Sequence, residues 1–293
     1  MTRPWLAKPI FVLPALAALT IFFLMPSLCT IVMSFSDWKI GQTAGFSFIG
    51  LTNYRTLIEN PDFLKSLKNT LLLTSLVVPS SFVLALGIAL AIRSAGRLGT
   101  VWTTIYFLPV TASLVAMSVV WQWLLHPEVG VLAFVLSKFG VTAKINWVND
   151  GDIVLFTLAF ITIWQMTGYY TVLFITGLVQ IPSTLYEVAR IDGARGAFSR
   201  FWHVTWPLLG PTSLFVLIVS VIKTFQVFDI VKVLTRGGPE KASEIMLYTM
   251  YQEGFAFFRT GISASIATLY LVFMLALTFC QAKVFERRVH YGF

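Results

Sequence analysis

Few side chains in this sequence are of a type and spacing that could do acid–base, nucleophilic or metal chemistry. His126, His203 and His290 lie far apart, and neither His-Glu-x-x-His nor Gly-x-Ser-x-Gly occurs, which removes the usual zinc and serine-nucleophile arrangements. No Gly-x-x-x-x-Gly-Lys-Ser/Thr phosphate loop occurs either, which removes the usual nucleotide-triphosphate site. Glu187 and Asp192 are neighbouring carboxylates, but they sit on a polar, water-facing stretch with no cleft to bring a substrate between them. The groups left with chemistry to offer are polar and aromatic residues inside apolar runs. Trp164 and Tyr169 can stack on the apolar face of a ligand, and Gln165 can donate and accept hydrogen bonds. Lys223 and Gln226 can attract an anionic or strongly polar ligand, since a cation facing lipid costs about 2.5–3.5 kcal/mol and is better placed in a cavity. Snorkelling of Lys223 toward the interface is the competing reading.

The elements that must carry these residues follow from composition. The chain has 293 residues, 57% apolar, 15% aromatic and 12% charged. Its mean hydropathy is +0.81. Soluble domains are roughly 45–50% apolar and about 25% charged, so a water-soluble globule is excluded, and intrinsic disorder with it. Apolar runs of helix length span about 10–35, 70–92, 101–125, 153–178, 208–231 and 261–282. Barrel strands would be shorter and strictly alternating, so six transmembrane helices are expected. The first run follows Arg3 and Lys8 as a signal peptide would, yet it is too long and lacks a small-x-small cleavage site, which makes it a retained span.

Net charge is +8, which in a soluble protein would suggest nucleic acid; here its distribution gives it another meaning. The segments 1–9, 93–100, 179–207 and 283–293 hold Arg3, Lys8, Arg93, Arg97, Arg190, Arg195, Arg200, Lys283, Arg287 and Arg288 against only Glu187, Asp192 and Glu286. The opposite segments are longer and nearly balanced in charge. The positive-inside bias therefore puts both termini in the cytoplasm. Cys29 and Cys280 fall toward opposite membrane faces and cannot pair. Pro14, Pro26, Pro79 and Pro109 lie in or near spans, where neighbouring helices can compensate the lost backbone hydrogen bonds. Trp38, Trp102, Trp121, Trp123, Trp147 and Trp206 lie near the expected interfaces, as amphipathic rings prefer.

The loop between the fourth and fifth runs is the most informative. Pro182 stops the membrane helix, Thr184 and Glu187 have capping-box spacing for a short helix, and Asp192-Gly193 supplies a turn able to take positive φ. Leu185, Val188 and Ala189 then form an apolar face, leaving Glu187, Arg190 and Arg195 to water or a partner. So short a helix needs a surface to dock on.

Glu187-Val-Ala-Arg-Ile-Asp-Gly-Ala194, followed by Phe201, Val204 and Trp206-Pro207, resembles the "EAA" loop of permease subunits in binding-protein-dependent ATP-binding-cassette importers. Val188 stands where the second Ala is usual, and Trp206 where Leu is usual. The likeness continues through Phe48-Ile-Gly-Leu-Thr-Asn-Tyr54, Phe107-Leu-Pro109, Trp121 with His126-Pro-Glu-Val-Gly130, Gly177-Leu-Val-Gln-Ile-Pro182 and Phe228 to Pro239. Together these are similar to the carbohydrate-uptake branch, and Thr235-Arg-Gly-Gly-Pro239 resembles the first maltose-type and glycerol-phosphate-type permease.

The resemblance implies an all-α, type I importer permease: one membrane domain over 1–293, in a bacterial inner membrane. Implied partners are a companion permease in a heterodimer, two ATP-binding subunits that carry ATP and Mg, an extracytoplasmic solute-binding protein docking near Gly237-Gly238-Pro239, a sugar or sugar-derivative substrate, and membrane lipid. No nucleic acid, metal or cofactor is expected on this chain, and no catalytic residue. Glu187, Val188, Ala189, Asp192, Gly193, Ala194 and Arg195 would form the coupling helix in a cleft of the ATPase. Small Ala allows close approach, Gly193 the bend, and Glu187 offers a charge. The competing reading, an ion-coupled secondary transporter of a small polar solute, would need paired discontinuous helices or internal repeats, and intramembrane carboxylates; no repeat is evident and only Asp229 lies near a span interior.

Overall fold

The computed structural model describes residues 7–40, 47–140 and 144–286, with side chains from 12 to 283 within those limits. Arg3, Arg287, Arg288 and His290, and the side chain of Lys8, lie outside the described residues, and so do the termini whose side of the membrane the charge pattern addresses. The described chain is helical: α1 (Ala7–Leu19), α2 (Met25–Met33), α3 (Thr52–Glu59), α4 (Pro61–Ser94), α5 (Gly99–Thr111), α6 (Leu114–Leu124), α7 (Val131–Lys138), α8 (Val154–Val179), α9 (Ser183–Ile191), α10 (Ala197–Arg200), α11 (Trp206–Leu208), α12 (Gly210–Phe225), α13 (Met246–Tyr251) and α14 (Thr260–Glu286). Four stretches are long and apolar enough to cross a membrane: Val12–Met33, Pro61–Ser94, Val154–Val179 and Thr260–Lys283. The count is six if each of two bent pairs is one span.

Two of the six expected spans are bent pairs rather than single helices. The third run is interrupted at Ala112 and Ser113, whose ψ angles of 141° and 130° are extended, and α5 meets α6 at 96°. Pro109 removes one helical donor just before the break. The fifth run is broken twice. It bends by 70° around Leu209, between Pro207 and Pro211, and α12 then stops at Phe225, so that residues 227–228 lie outside regular structure within the expected span 208–231. By contrast α1 and α4 run on through Pro14 and Pro79. Ahead of Pro26 a π-helical turn, Thr20–Leu24, absorbs the lost donor.

Two compact units divide the chain, Met1–Leu64 with Thr249–Phe273 and Lys65–Tyr248 with Met274–Phe293. In the first, none of the most apolar window of Val12–Met33 is buried, leaving Phe22, Phe23 and Leu28 on a surface that lipid or protein must cover. Its polar knot is Asn53, buried, whose Nδ2 donates to the carbonyls of Ser34 (3.0 Å) and Ser36 (2.9 Å). Ser265 Oγ donates to the same Ser34 carbonyl at 2.9 Å, and Ser34 Oγ meets Tyr54 OH at 2.6 Å. The segment through Asn53 and Tyr54 thus falls on residues that hold the chain past the end of α2, Asn53 through the Ser34 and Ser36 carbonyls and Tyr54 through the Ser34 hydroxyl.

The second unit is built around α4, α8 and α12. Ala85, Leu86 and Ala89 of α4 pack with Tyr170, Phe174 and Leu178 of α8 and with Leu209 and Val216, and Phe82 meets Phe174 edge to face at 5.1 Å. Glycine makes two seams possible. A Cβ on Gly168 would lie 1.9 Å from the Tyr106 carbonyl oxygen of α5, and one on Gly177 would lie 2.4 Å from Thr212 Oγ1 of α12. At the N-terminal end of α4, Asn69 donates to the carbonyls of Lys241 (3.1 Å) and Glu244 (2.9 Å), and Met246 N–H donates to Thr70 Oγ1 at 2.9 Å. The expected Gly-Gly-Pro turn is present there. Arg236 and Gly237 are left-handed (φ 53° and 82°), and Ser243 Oγ donates to Thr235 Oγ1 and to the Gly238 carbonyl.

Candidate coupling loop and translocation pathway

The loop helix is α9, Ser183–Ile191, with Pro182 at its N-cap and no side-chain cap. The helix therefore starts one residue before Thr184, and the capping box expected from Thr184 and Glu187 does not form. Its other end is a Schellman turn. The N–H of Ala194 bonds to the Ala189 carbonyl (2.8 Å) and that of Gly193 to the Arg190 carbonyl (3.4 Å), while Gly193 takes φ +98° as the sequence required. Nothing lies within 4 Å of a Cβ built on Gly193, so its role is conformational.

Leu185, Tyr186 and Ala189 are the residues of α9 that pack on the core. Val188, expected on that face, is instead 53% exposed beside Glu187 and Arg190, with Ile191 85% exposed one turn on. Phe198 adds a further ring at 77% exposure. The outward surface thus combines Glu187, Arg190, Asp192 and Arg195 with unburied Val188, Ile191 and Phe198, a mixture suited to a protein partner. Sequence reasoning missed Ile191 and Phe198; the Val188–Ile191 spacing of three was the available signal. Beside α9 a groove of about 660 Å³ is lined by Val188, Ala189, Asp192, Ala194, His203 and Val204 among others, so that Val188 and Asp192 border it from the outward surface. His203 is structural: its Nδ1 lies 2.8 Å from the Ser199 carbonyl. Tyr186 OH lies 2.9 Å from Arg93 NH1 at the end of α4 and 3.1 Å from Thr205 Oγ1.

Of the pathway candidates, Trp164 is 36% exposed on α8 and meets Trp121 edge to face at 5.4 Å. Tyr169 is half-buried against Tyr170 at 5.7 Å. Gln165 is only 2% exposed and is turned away from any open surface. Its Nε2 reaches the carbonyls of Pro109 (3.5 Å) and Ala112 (3.4 Å), the groups left without helical donors where α5 breaks, while its Oε1 has no partner. Lys223 is exposed in the last turn of α12 and Gln226 is exposed at its C-cap. Among the described residues no hydrogen bond, ion pair or ring contact links Lys223 or Gln226 to Trp164 or Tyr169, nor does Lys223 form any ion pair. His126 caps a turn, its Nδ1 accepting from the N–H groups of Glu128 (3.2 Å) and Val129 (3.3 Å). Glu128 in turn pairs with Lys144 at 2.7 Å, which holds its carboxyl below the usual range. Cys29 and Cys280 are free, exposed thiols. No group of three His, Cys, Asp or Glu able to hold a metal occurs among the described residues.

The described residues comprise helices long and apolar enough to cross a membrane, two bent pairs of such helices, and a short loop helix ahead of the second pair. Residues 83–291 match the family described as binding-protein-dependent transport system inner membrane component, and the chain belongs to that family of ABC importer permeases. It is 35% identical over 269 residues to a protein of Pyrococcus horikoshii described as a probable ABC transporter permease protein, covering 92% of this chain and 91% of that one. It is 32% identical over 287 residues to the sn-glycerol-3-phosphate transport system permease protein UgpA of Agrobacterium fabrum, covering 97% and 96%. The fold is shared with a bacterial ABC transporter involved in the import of alginate, at TM-score 0.84, 22% identity and coverage of 97% and 96%. It also matches the alginate transporter solved with a pentasaccharide-bound periplasmic protein, at TM-score 0.85 and 22% identity over 99% and 97% of the two chains.

Proposed function

We propose that this permease imports a sugar derivative carrying a negative charge, with Lys223 and Gln226 meeting it inside the membrane. The observation that carries this reading is the break in the fifth apolar segment. α12 ends at Phe225 without Pro or Gly, and Lys223 stands exposed in its last turn. Helix ends within a membrane are tolerated where they line a cavity, and broken helices are a recurrent way of building substrate sites there. An unpaired cation at the site selects for an anion, and relatives are named for a phosphate ester. Trp164 and Tyr169 supply aromatic faces for the ring, and Gln165 holds the α5–α6 bend of the third segment.

In this reading residues 1–293 act as one permease domain of six spans, the bent pairs each counting as one, with both termini in the cytoplasm of a bacterium. The face formed by Glu187, Val188, Ala189, Asp192, Gly193, Ala194 and Arg195 docks on a separate ATPase that holds ATP and Mg. A companion permease completes the pathway, and a solute-binding protein delivers substrate to the opposite side. The complex assembled with these partners in liposomes is expected to take up a sugar phosphate only with ATP inside and loaded binding protein outside. Uptake driven by an ion gradient without ATP would overturn the coupling assignment, and equal uptake of neutral and phosphorylated sugars would overturn the assignment of Lys223.

A further inference from the structure

We propose that Tyr186 is a positioning residue of the coupling step, tying α9 to two membrane segments through one phenolic oxygen. The inference rests on the reading of α9 as the ATPase-facing lever. Burial of Leu185 and Ala189 gives α9 an apolar footing, but apolar contact is non-directional and lets a short helix slide or roll. Tyr186 supplies what that contact lacks. Arg93, in the last turn of α4, donates from NH1 to Tyr186 OH at 2.9 Å and sets its guanidinium carbon 4.8 Å from the ring centroid. The same OH lies 3.1 Å from Thr205 Oγ1, which is buried at the end of the π-helical turn Phe201–Thr205 that leads into α11 and α12.

The chemistry fixes the direction of this relay. Guanidinium has no acceptor, so the phenol oxygen must accept from Arg93, and its own hydrogen is then free to donate to Thr205. Donation by a charged group strengthens the bond it makes and polarises the next. Displacement of α9 by a partner is thereby passed to the end of α4 and to the start of the fifth segment together. The π-helical turn is a local register change in that segment, a fitting place for movement to enter.

The test uses the assembled complex in liposomes, reading substrate imported per ATP hydrolysed. Tyr186→Phe keeps the ring, its packing and the cation–π contact while removing both hydrogen bonds. The ratio is expected to fall at least about fivefold, since one net hydrogen bond is worth about that factor and two are lost. Arg93→Met and Thr205→Val should lower it similarly, adding Arg93→Met to Tyr186→Phe should change little more, and Arg93→Lys should restore most of it. An unchanged ratio in Tyr186→Phe, or independent effects of the Tyr186 and Arg93 changes, would overturn the proposal. Glu187→Arg on the outward face separates the two claims. If it abolishes ATP-driven uptake while Tyr186→Phe keeps the wild-type ratio, only the positioning role falls. If it leaves uptake intact, the coupling reading of α9 falls with it.

Discussion

Gly168 offers the sharpest test of the packing, because the structure leaves a methyl group no place to go. A Cβ there would lie 1.9 Å from the Tyr106 carbonyl oxygen, 2.7 Å from its carbon and 3.2 Å from the Phe107 Cα, all backbone atoms of α5. Backbone cannot swing aside as a side chain can, so Gly168→Ala must push α5 from α8 by about 1 Å or more, at the place where Gln165 holds the freed carbonyls of the bend. Overpacking of this kind costs about 1–3 kcal/mol, and the upper end is expected here. In a chain of this size that lowers the thermal midpoint by about 6–12 °C. Gly87 is the control: it lies inside α4 with nothing within 4 Å of its built Cβ, so Gly87→Ala should be neutral or stabilising by about 0.5–1 kcal/mol. The assay is loss of monodisperse complex in mild detergent on heating. Equal tolerance of both substitutions would refute the α5–α8 seam as described.

Gly193→Ala should cost about 1–2 kcal/mol from its left-handed φ alone, and Gly193→Asn less, because Asn tolerates that region; thermal midpoints of the detergent-solubilised complex would show the order, and equal midpoints for all three would argue against the Schellman turn. Lys223→Met should reduce uptake of a sugar phosphate at least tenfold while sparing a neutral analogue, and unchanged phosphate uptake would place Lys223 outside the pathway.

What the sequence made legible follows from what is local. The uninterrupted helices α4, α8 and α14 cover the apolar runs 70–92, 153–178 and 261–282, because length and hydropathy are properties of the segment alone. The Gly193 bend was equally legible, since only a few residue types accept positive φ there. The breaks were not. Pro79 leaves α4 continuous, whereas the helix after Pro109 opens at Ala112, and the carbonyls it frees meet Gln165 from a helix more than fifty positions away. Gln165 read as a pathway residue because a polar group in an apolar run suggests a cavity; its burial against that break gives it a structural task no spacing rule could reveal. Val188 misled for a related reason. A helix wheel assigns a face, but not its limits: Leu185, Tyr186 and Ala189 pack on the core while Val188 and Ile191 stay exposed.

The central claim is that the outward face of α9 meets an ATPase. With Cys29 and Cys280 replaced by Ser, Arg190→Cys in the native membrane should crosslink to an ATP-binding subunit, identified by mass spectrometry, and Glu128→Cys, near the start of α7, should not. Crosslinking of the ATPase from Glu128→Cys instead, or recovery from Arg190→Cys of this chain alone, would contradict the account.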